Sequence, residues 1–248
     1  MNKVLIVTGG SRGIGAATAK LAVAQGYKVC VNYLINQQAA EAVVAEIHAS
    51  GGTALAMQAD LSVEAEIVEL FQRVDKELGA VTALVNNAGI LETQSSLLDM
   101  NEGRLQRVFA ANVIGPMLCA REAVKRMSVK LGGKGGAIVN VSSAAARLGA
   151  AGEYIDYAAS KGALDTFTIG LSKEVADKGI RVNSVRPGFI YTDIHASGGE
   201  PGRVDRIKGS IPMKRGGQPE EVAQAILWLL SEQASYATGT FIDLAGGR

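Results

Sequence analysis

Tyr157 and Lys161 stand four residues apart in Tyr157-Ala158-Ala159-Ser160-Lys161-Gly162-Ala163-Leu164, a run of small and apolar residues that favours a helix. At that spacing both side chains project from one helix face. The pair can make a phenol into a working acid and base. Free tyrosine ionises at about 10, and lowering that by ~3 units takes ~4 kcal/mol of preferential stabilisation of the phenolate. A fixed ammonium can supply much of it. The same two residues also fit a half-buried tyrosine beside a solvated lysine, so their meaning depends on the company they keep.

A second chemical feature lies near the start, where Val4-Leu5-Ile6-Val7 runs into Thr8-Gly9-Gly10-Ser11-Arg12-Gly13-Ile14-Gly15 and then a helical pattern. In a strand-turn-helix of this kind, backbone N–H groups and the helix N-terminus converge where a phosphate can sit. The spacing Gly-x-x-x-Gly-x-Gly differs from Gly-x-Gly-x-x-Gly but meets the same need for close backbone approach, and a plain tight turn is the alternative. Gly9 to Gly13 also matches Gly-x-Ser-x-Gly, which would make Ser11 the nucleophile of a serine hydrolase. That reading needs a histidine and an acid. The chain has only His48 and His195, the latter with Asp193 nearby, and no earlier strand whose loop could supply an oxyanion donor.

An acidic residue at the end of the second strand would grip the 2′-hydroxyl of NAD, and Val31-Asn32-Tyr33-Leu34 has none. Arg12 offers a cation for a 2′-phosphate instead, with Asn32 and Tyr33 near the adenosine, so NADP(H) is expected over NAD(H). A surface ion pair is the other use for Arg12.

Seven β-rich runs must position these groups: Val4 to Val7, Val29 to Val31, Ala54 to Met57, Ala83 to Val85, Ala137 to Val141, Arg181 to Val185 and Thr240 to Leu244. Between them lie helical patterns at Gly13 to Gln25, Gln37 to Ala49, Val63 to Leu78, Glu102 to Val129, Tyr154 to Asp177 and Pro219 to Ser231. Strict alternation with right-handed crossovers predicts an α/β, Rossmann-like, doubly wound domain over 1–248, with a seven-stranded parallel sheet covered by helices on both faces. His195 to Gly217, glycine-rich, polar and basic, reads as a mobile loop over the site.

With 25 basic against 24 acidic residues, nothing pulls the whole chain toward nucleic acid or an anionic membrane, and a small molecule is the expected partner. Cys30 and Cys119 match no metal-ligand spacing and read as buried thiols in a reducing compartment. The apolar start is too short for a signal-peptide core or a membrane span, so a cytoplasmic location is expected.

Together, Thr8 to Gly15, Asp60-Leu61, Asn86-Asn87-Ala88-Gly89, Asn112, Ser143, Tyr157 with Lys161, and Pro187-Gly188 resemble, in order, the motif series of the short-chain dehydrogenase/reductase family. The length is similar to its roughly 250-residue branch, and the neighbouring branches it resembles are 3-oxoacyl-carrier-protein reductases and glucose dehydrogenases. The resemblance implies hydride transfer between a nicotinamide cofactor and a carbonyl or secondary alcohol, with Tyr157 as general acid and base. Lys161 would lower the tyrosine's pKa and hold ribose hydroxyls, Ser143 would donate to the substrate oxygen, and Asn112 would hold a water reaching Lys161. Cofactor contacts would come from Gly9, Ser11, Gly13, Ile14 and Gly15, from Asp60 and Leu61 at the adenine, and from Asn87, Ala88 and Gly89. Pro187, Gly188, Ile190 and Thr192 would serve the nicotinamide end.

Each residue also has an ordinary use: Ser142 and Ser143 as turn residues, Asn112 bonding buried backbone, Thr192 as a cap. Tyr154 has Ala158 rather than lysine four residues on and is set aside. A dinucleotide sensor without catalysis would keep the glycine turn but has no need of Ser143, Tyr157 and Lys161 together. Lys125, Arg126, Lys130, Lys134 and Lys173 can form a basic patch for an acyl carrier protein, or a solvated face. Arg203, Arg206, Lys208, Lys214 and Arg215 in the loop can attract an anionic substrate or serve cofactor phosphates. Val108, Phe109, Val113, Met117 and Leu118 exceed what one sheet face needs and point to self-association, for which the resemblance implies a homotetramer.

Overall fold

In the computed structural model, which describes residues 3–248, seven strands form one wholly parallel sheet. The strands are β1 (Lys3–Val7), β2 (Tyr27–Tyr33), β3 (Ala54–Gln58), β4 (Ala83–Asn86), β5 (Gly136–Val141), β6 (Ile180–Pro187) and β7 (Phe241–Leu244), in the spatial order 3-2-1-4-5-6-7. Met1 and Asn2 of the expected 1–248 domain lie outside the described residues.

The near-continuous apolar strands are what a sheet covered on both faces requires. Leu5 and Val7 of β1 pack toward α1 (Gly13–Ala22), α2 (Gln37–Ala49) and the helix Pro219–Leu230. Val4 and Ile6 point the other way, toward α3 (Glu64–Glu77), the helix Gly115–Met127 and the end of the helix Ile155–Val175. Cys30 and Cys119 are both buried in this second layer, where desolvation pushes each thiol up to about 12. A fully buried side chain such as Phe71 contributes about 1.5–3 kcal/mol to such a layer.

Local signals set where helices begin. Asn36 caps α2 by accepting from Ala39 N at 2.9 Å, and Asn101 caps α4 (Glu102–Phe109) by accepting from Arg104 N at 2.9 Å.

Three elements depart from the sequence expectation. The single helix expected over Glu102 to Val129 is α4, then a π-helical turn at Ala110–Ile114, then α5 (Gly115–Met127). The stretch after Ser143 adds a short helix, α6 (Ala145–Leu148), before α7 (Ile155–Val175). The expected loop over 195–217 contains α8 (Ile194–Ser197) and α9 (Arg203–Ile207) before α10 (Pro219–Leu230), with His195, Arg203, Val204 and Ile211 buried. The hidden Val204 and Ile211 side chains, with His195 and Arg203 beside them, fold the segment onto the body of the protein. No helix among the described residues is long and apolar enough to cross a membrane.

Candidate active site

The strand order reverses between β1 and β4, and ligands of open α/β sheets bind outside the strand carboxyl ends at such a switch point. An open cleft of about 820 Å³ lies there, bordered by the turns that follow β1, β4, β5 and β6.

After β1 the chain turns through Gly9 and Gly13, at φ +59° and +54°, conformations that glycine adopts without strain. A Cβ on Gly15 would sit 2.4 Å from the Gly9 carbonyl oxygen and 2.5 Å from Asn87 Nδ2, so only glycine lets α1 start this close to the turn. Asn87 Nδ2 donates to the Thr8 and Gly9 carbonyls at 2.9 and 3.0 Å, while the backbone N–H groups of Asn87 and Ala88 donate to Thr8 Oγ1. The turns after β1 and β4 therefore hold each other in shape. α1 has no acidic residue in its first turn to compete for an anion. Thr192 lies against the turn, its Cγ2 3.0 Å from where a Gly13 Cβ would be. These features fit a dinucleotide's phosphates.

Arg12 is exposed on the cleft rim and forms no ion pair among the described residues, so the surface-pair alternative for it finds no partner. Tyr33 to Asn36 line the same end without an acidic side chain, joined by Asp60 and Leu61. Asn32 borders the cleft and also braces the turn. Its Oδ1 accepts from Gly9 N at 3.3 Å and its Nδ2 faces the carbonyls of Tyr33, Met57 and Ala59. Asp60 Oδ1 accepts from Ser62 N and Oγ, closing a short turn at the cleft edge.

At the other end, Ser143 follows β5 while Tyr157 and Lys161 descend one face of α7. The Ser143 hydroxyl faces the Tyr157 phenol and accepts from Ala145 N at 3.1 Å. Lys161 Nζ donates to the Val141 carbonyl at 2.8 Å and lies 5.6 Å from the Tyr157 ring centroid. Asn112 sits on the π turn. Its Oδ1 accepts from Ile90 N at 2.8 Å, and its Nδ2 donates to the Ile90 carbonyl at 3.0 Å and Ser160 Oγ at 3.1 Å. Asn112 Oδ1 and Lys161 Nζ nevertheless flank one point, 3.3 and 3.4 Å from where a Gly89 Cβ would be. The four residues thus meet in one place. Gly188, at the end of β6, is held by its N–H on the Leu244 carbonyl at 3.0 Å, with Pro187 and Ile190 lining the cleft beside it.

Burial pulls the Lys161 ammonium down to about 8, against the field of Asp165, which raises it. Burial pushes the Tyr157 phenol up, and the hydrogen bond with Ser143 draws it part of the way back. The sequence expectation of a phenol lowered by Lys161 is therefore not met in the protein alone: desolvation outweighs the other influences on the ring.

Three sets of contacts here have no signal in the sequence. Arg104 Nε and Nη2 grip the Asp156 carboxylate at 2.7 and 3.3 Å, its Nη1 reaches the Thr93 carbonyl at 2.7 Å, and Asp156 Oδ1 accepts from Tyr157 N at 2.9 Å. This buried pair fixes the first turn of α7 beside Tyr157. Asn86, Asn140 and Thr168 form a buried chain across β4, β5 and α7. Asp165 pairs with Arg186 at 2.8 Å. Nothing in local spacing announces partners 21 to 54 residues apart.

The remaining candidates find ordinary roles. Neither histidine bonds Ser11: His195 Nε2 meets the Ile190 carbonyl and His48 Nε2 meets that of Ala54, which leaves the hydrolase reading without a base. Tyr154 donates to the Gly198 carbonyl at 3.0 Å and lies under the Arg203 guanidinium, anchoring the segment before α9. The cations of that segment are mostly matched: Arg203 by Glu153 and Glu200, Arg206 by Glu200, Lys208 by Asp205, Arg215 by Glu221. In the helical basic patch, Lys125, Arg126 and Lys130 are paired with Glu122, Asp75 and Asp177 respectively, whereas Lys134 and Lys173 form no ion pair among the described residues.

Over residues 9–248 the chain matches a family model described as enoyl-(acyl carrier protein) reductase. It is 62% identical over 245 residues, 99% of each chain, to the uncharacterized oxidoreductase YgfF of Escherichia coli (strain K12). It is 41% identical over 246 residues, 99% of this chain and 96% of the other, to a 3-oxoacyl-[acyl-carrier-protein] reductase of Synechocystis. Among solved structures, a mutant of a Serratia marcescens short-chain dehydrogenase/reductase superposes with a TM-score of 0.90 at 33% identity, covering 99% of this chain and 97% of the other.

Proposed function

Because the chain belongs to the short-chain dehydrogenase/reductase family, and is thereby an oxidoreductase, we propose that it interconverts a carbonyl and a secondary alcohol with NADP(H), using Tyr157 as general acid and base. The observation that carries this reading is the meeting of Ser143, Tyr157 and Lys161 in the same cleft as the glycine turn, with the buried Asn112 close behind Lys161.

When bound, the nicotinamide supplies or accepts the hydride. Gly9, Ser11, Gly13, Ile14 and Gly15 would hold the phosphates, Asn87 to Gly89 the middle of the cofactor, and Pro187, Gly188, Ile190 and Thr192 its reactive end. In the reducing direction Tyr157 gives its phenolic proton to the carbonyl oxygen, which the Ser143 hydroxyl holds by a hydrogen bond. Lys161, cationic below about 8, stabilises the resulting phenolate. Asn112 ties α7 to the turn after β4 through Ser160 and Ile90, which keeps Lys161 on the correct side of Gly89. A sensor without catalysis leaves the cost of burying Lys161 without a use.

Preference for NADP(H) is supported by the unpaired Arg12 and by the absence of an acid from Tyr33 to Asn36. A carrier-protein-bound substrate is supported by the 3-oxoacyl-[acyl-carrier-protein] reductase relative. Exposed Leu105, Ile114 and Met117 along α4 to α5, with Ile155 and Ile169 on α7, support a homo-oligomer, whereas Val108 and Val113 are spent in the interior. Light scattering that returns a monomer refutes that part.

The decisive measurement is NADPH oxidation with a panel of ketones, diketones and 3-oxoacyl thioesters. Turnover is expected with at least one, and Tyr157→Phe, which removes only the hydroxyl, should lower it by about 10²-fold or more. A variant within a few-fold of the parent overturns the role given to Tyr157.

A further inference from the structure

The Asp165 carboxylate is in an unusual position for a buried group. Oδ2 takes the Arg186 guanidinium at 2.8 Å, yet Oδ1 is buried without a hydrogen-bond partner. Leaving a carboxylate oxygen bare inside a protein is costly, and such an atom calls for an explanation. Asp165 lies one helical turn beyond Lys161 on α7, the spacing at which charged side chains feel each other. Arg186, on β6, has its guanidinium carbon 3.9 Å from the Phe241 ring centroid and reaches Asp243 at 3.8 Å, and Asp243 in turn pairs with Arg147 of α6 at 3.1 Å. An ordered row of alternating charge therefore runs from the edge of the sheet to the floor of the cleft, and Lys161 is its inner end.

The other elements packed against Lys161 present neutral groups: the Val141 carbonyl, Ser142 and Ser143 after β5, Asn112 from the π turn, and the backbone at Gly89. On α7 itself the titratable neighbours are Tyr157 and Asp165. Asp165 is thus the anion placed to hold charge on the lysine, and the Arg186 cation acts in opposition.

We infer that Asp165 is a positioning residue whose carboxylate, partly offset by Arg186, keeps Lys161 in the ammonium form that Tyr157 needs. The inference rests on the proposed reaction. It also accounts for the bare oxygen: a second donor on Oδ1 would spend on hydrogen bonding the field that reaches Lys161. Burial brings the ammonium down to about 8 even with Asp165 holding it up, so the counter-charge decides how much cation is left at neutral pH.

The test compares Asp165→Asn with Arg186→Met in the alkaline limb of kcat/KM for carbonyl reduction, the limb expected from loss of the Lys161 proton. Loss of the anion should move the limb down by about one pH unit, and loss of the opposing cation should move it up. Asp165→Glu and Arg186→Lys, which keep the charges, should stay near the parent. A purely structural ion pair predicts lower activity in both variants with the limb unmoved, and that result, or shifts in the same direction, overturns the inference. Should Asp165→Asn not fold, the sign of the Arg186→Met shift decides. A parent inactive on every carbonyl sinks the proposed reaction instead. The titration of Lys161 in protein isotope-labelled at lysine Cε, followed by NMR and assigned with Lys161→Met, then tests the same two shifts without turnover.

Discussion

Replacing Arg104 by methionine removes the guanidinium that grips Asp156 at 2.7 and 3.3 Å and the bond to the Thr93 carbonyl at 2.7 Å. The pair is well hidden, with side-chain exposures of 8% and 1%, so water cannot take over what the guanidinium provided. Asp156 would keep only the Tyr157 N–H at 2.9 Å. Stranding a buried charge in this way costs about 3–5 kcal/mol, and at ~2–4 °C per kcal/mol for a chain of this size the melting midpoint should fall by about 6–20 °C. Most of the loss belongs to the stranded carboxylate. Arg104→Met/Asp156→Asn, which strands no charge, should therefore melt above Arg104→Met alone, by about 1.5 kcal/mol of coupling or more in a double-mutant cycle. Urea unfolding followed by circular dichroism gives all four corners. A loss below about 1 kcal/mol for Arg104→Met, or strictly additive single effects, refutes the reasoning.

Three further outcomes are expected. Arg12→Ala should weaken NADPH binding by about tenfold, the low end for a hydrogen bond to a charged group because Arg12 is exposed, and leave NADH unchanged, as measured by fluorescence titration. Equal losses for both cofactors sink the 2′-phosphate assignment. Gly15→Ala, whose Cβ would lie 2.4 Å from the Gly9 carbonyl oxygen, should weaken both cofactors by about tenfold or more, and wild-type affinity for either refutes the close approach of α1. Lys161 binds its proton less tightly folded, at about 8, than unfolded, where the ordinary lysine value of 10.5 applies. Below pH 8 that mismatch therefore destabilises in full, and it is relieved as pH rises toward 10.5. Lys161→Met should accordingly melt higher than the parent at pH 7 by about 1–3 kcal/mol, with the advantage shrinking above pH 8. A variant less stable at pH 7 contradicts the burial argument.

The fold was legible because its signals are local and repeated. Val4 to Val7 reads as a strand buried on both faces, and alternation with helices leaves few topologies once crossovers are right-handed. The spacing of Tyr157 and Lys161 also carries directly into space, since α7 is regular through both. Asn112 is another matter. Apolar periodicity runs through Glu102 to Val129 as though through one helix and gives no sign of the π turn that carries it. The place of Asn32 at a strand end is plain in the sequence, but its bracing partners are not, because the carbonyls of Met57 and Ala59 reach it only once β3 pairs with β2. The segment from His195 to Gly217 read as a loop because helices of four or five residues leave no period to detect. Arg104 and Asp156, 52 positions apart, become neighbours only when α4 is laid against α7.

The π turn has a consequence for the length of the chain. A π turn closes its hydrogen bonds one residue later than an α turn, so Ala110–Ile114 carries one residue more than a regular helix needs. Deleting a single residue there would let α4 and α5 fuse into an uninterrupted helix, gaining regularity while rotating one end against the other by about 100°. Either the face that packs on α3 or the face that offers Asn112 to Ser160 would then be turned away. The surplus residue is a phase correction between two surfaces of one rod, and it makes the count of residues from Glu102 to Met127 as strict a requirement as the identity of Asn112 itself.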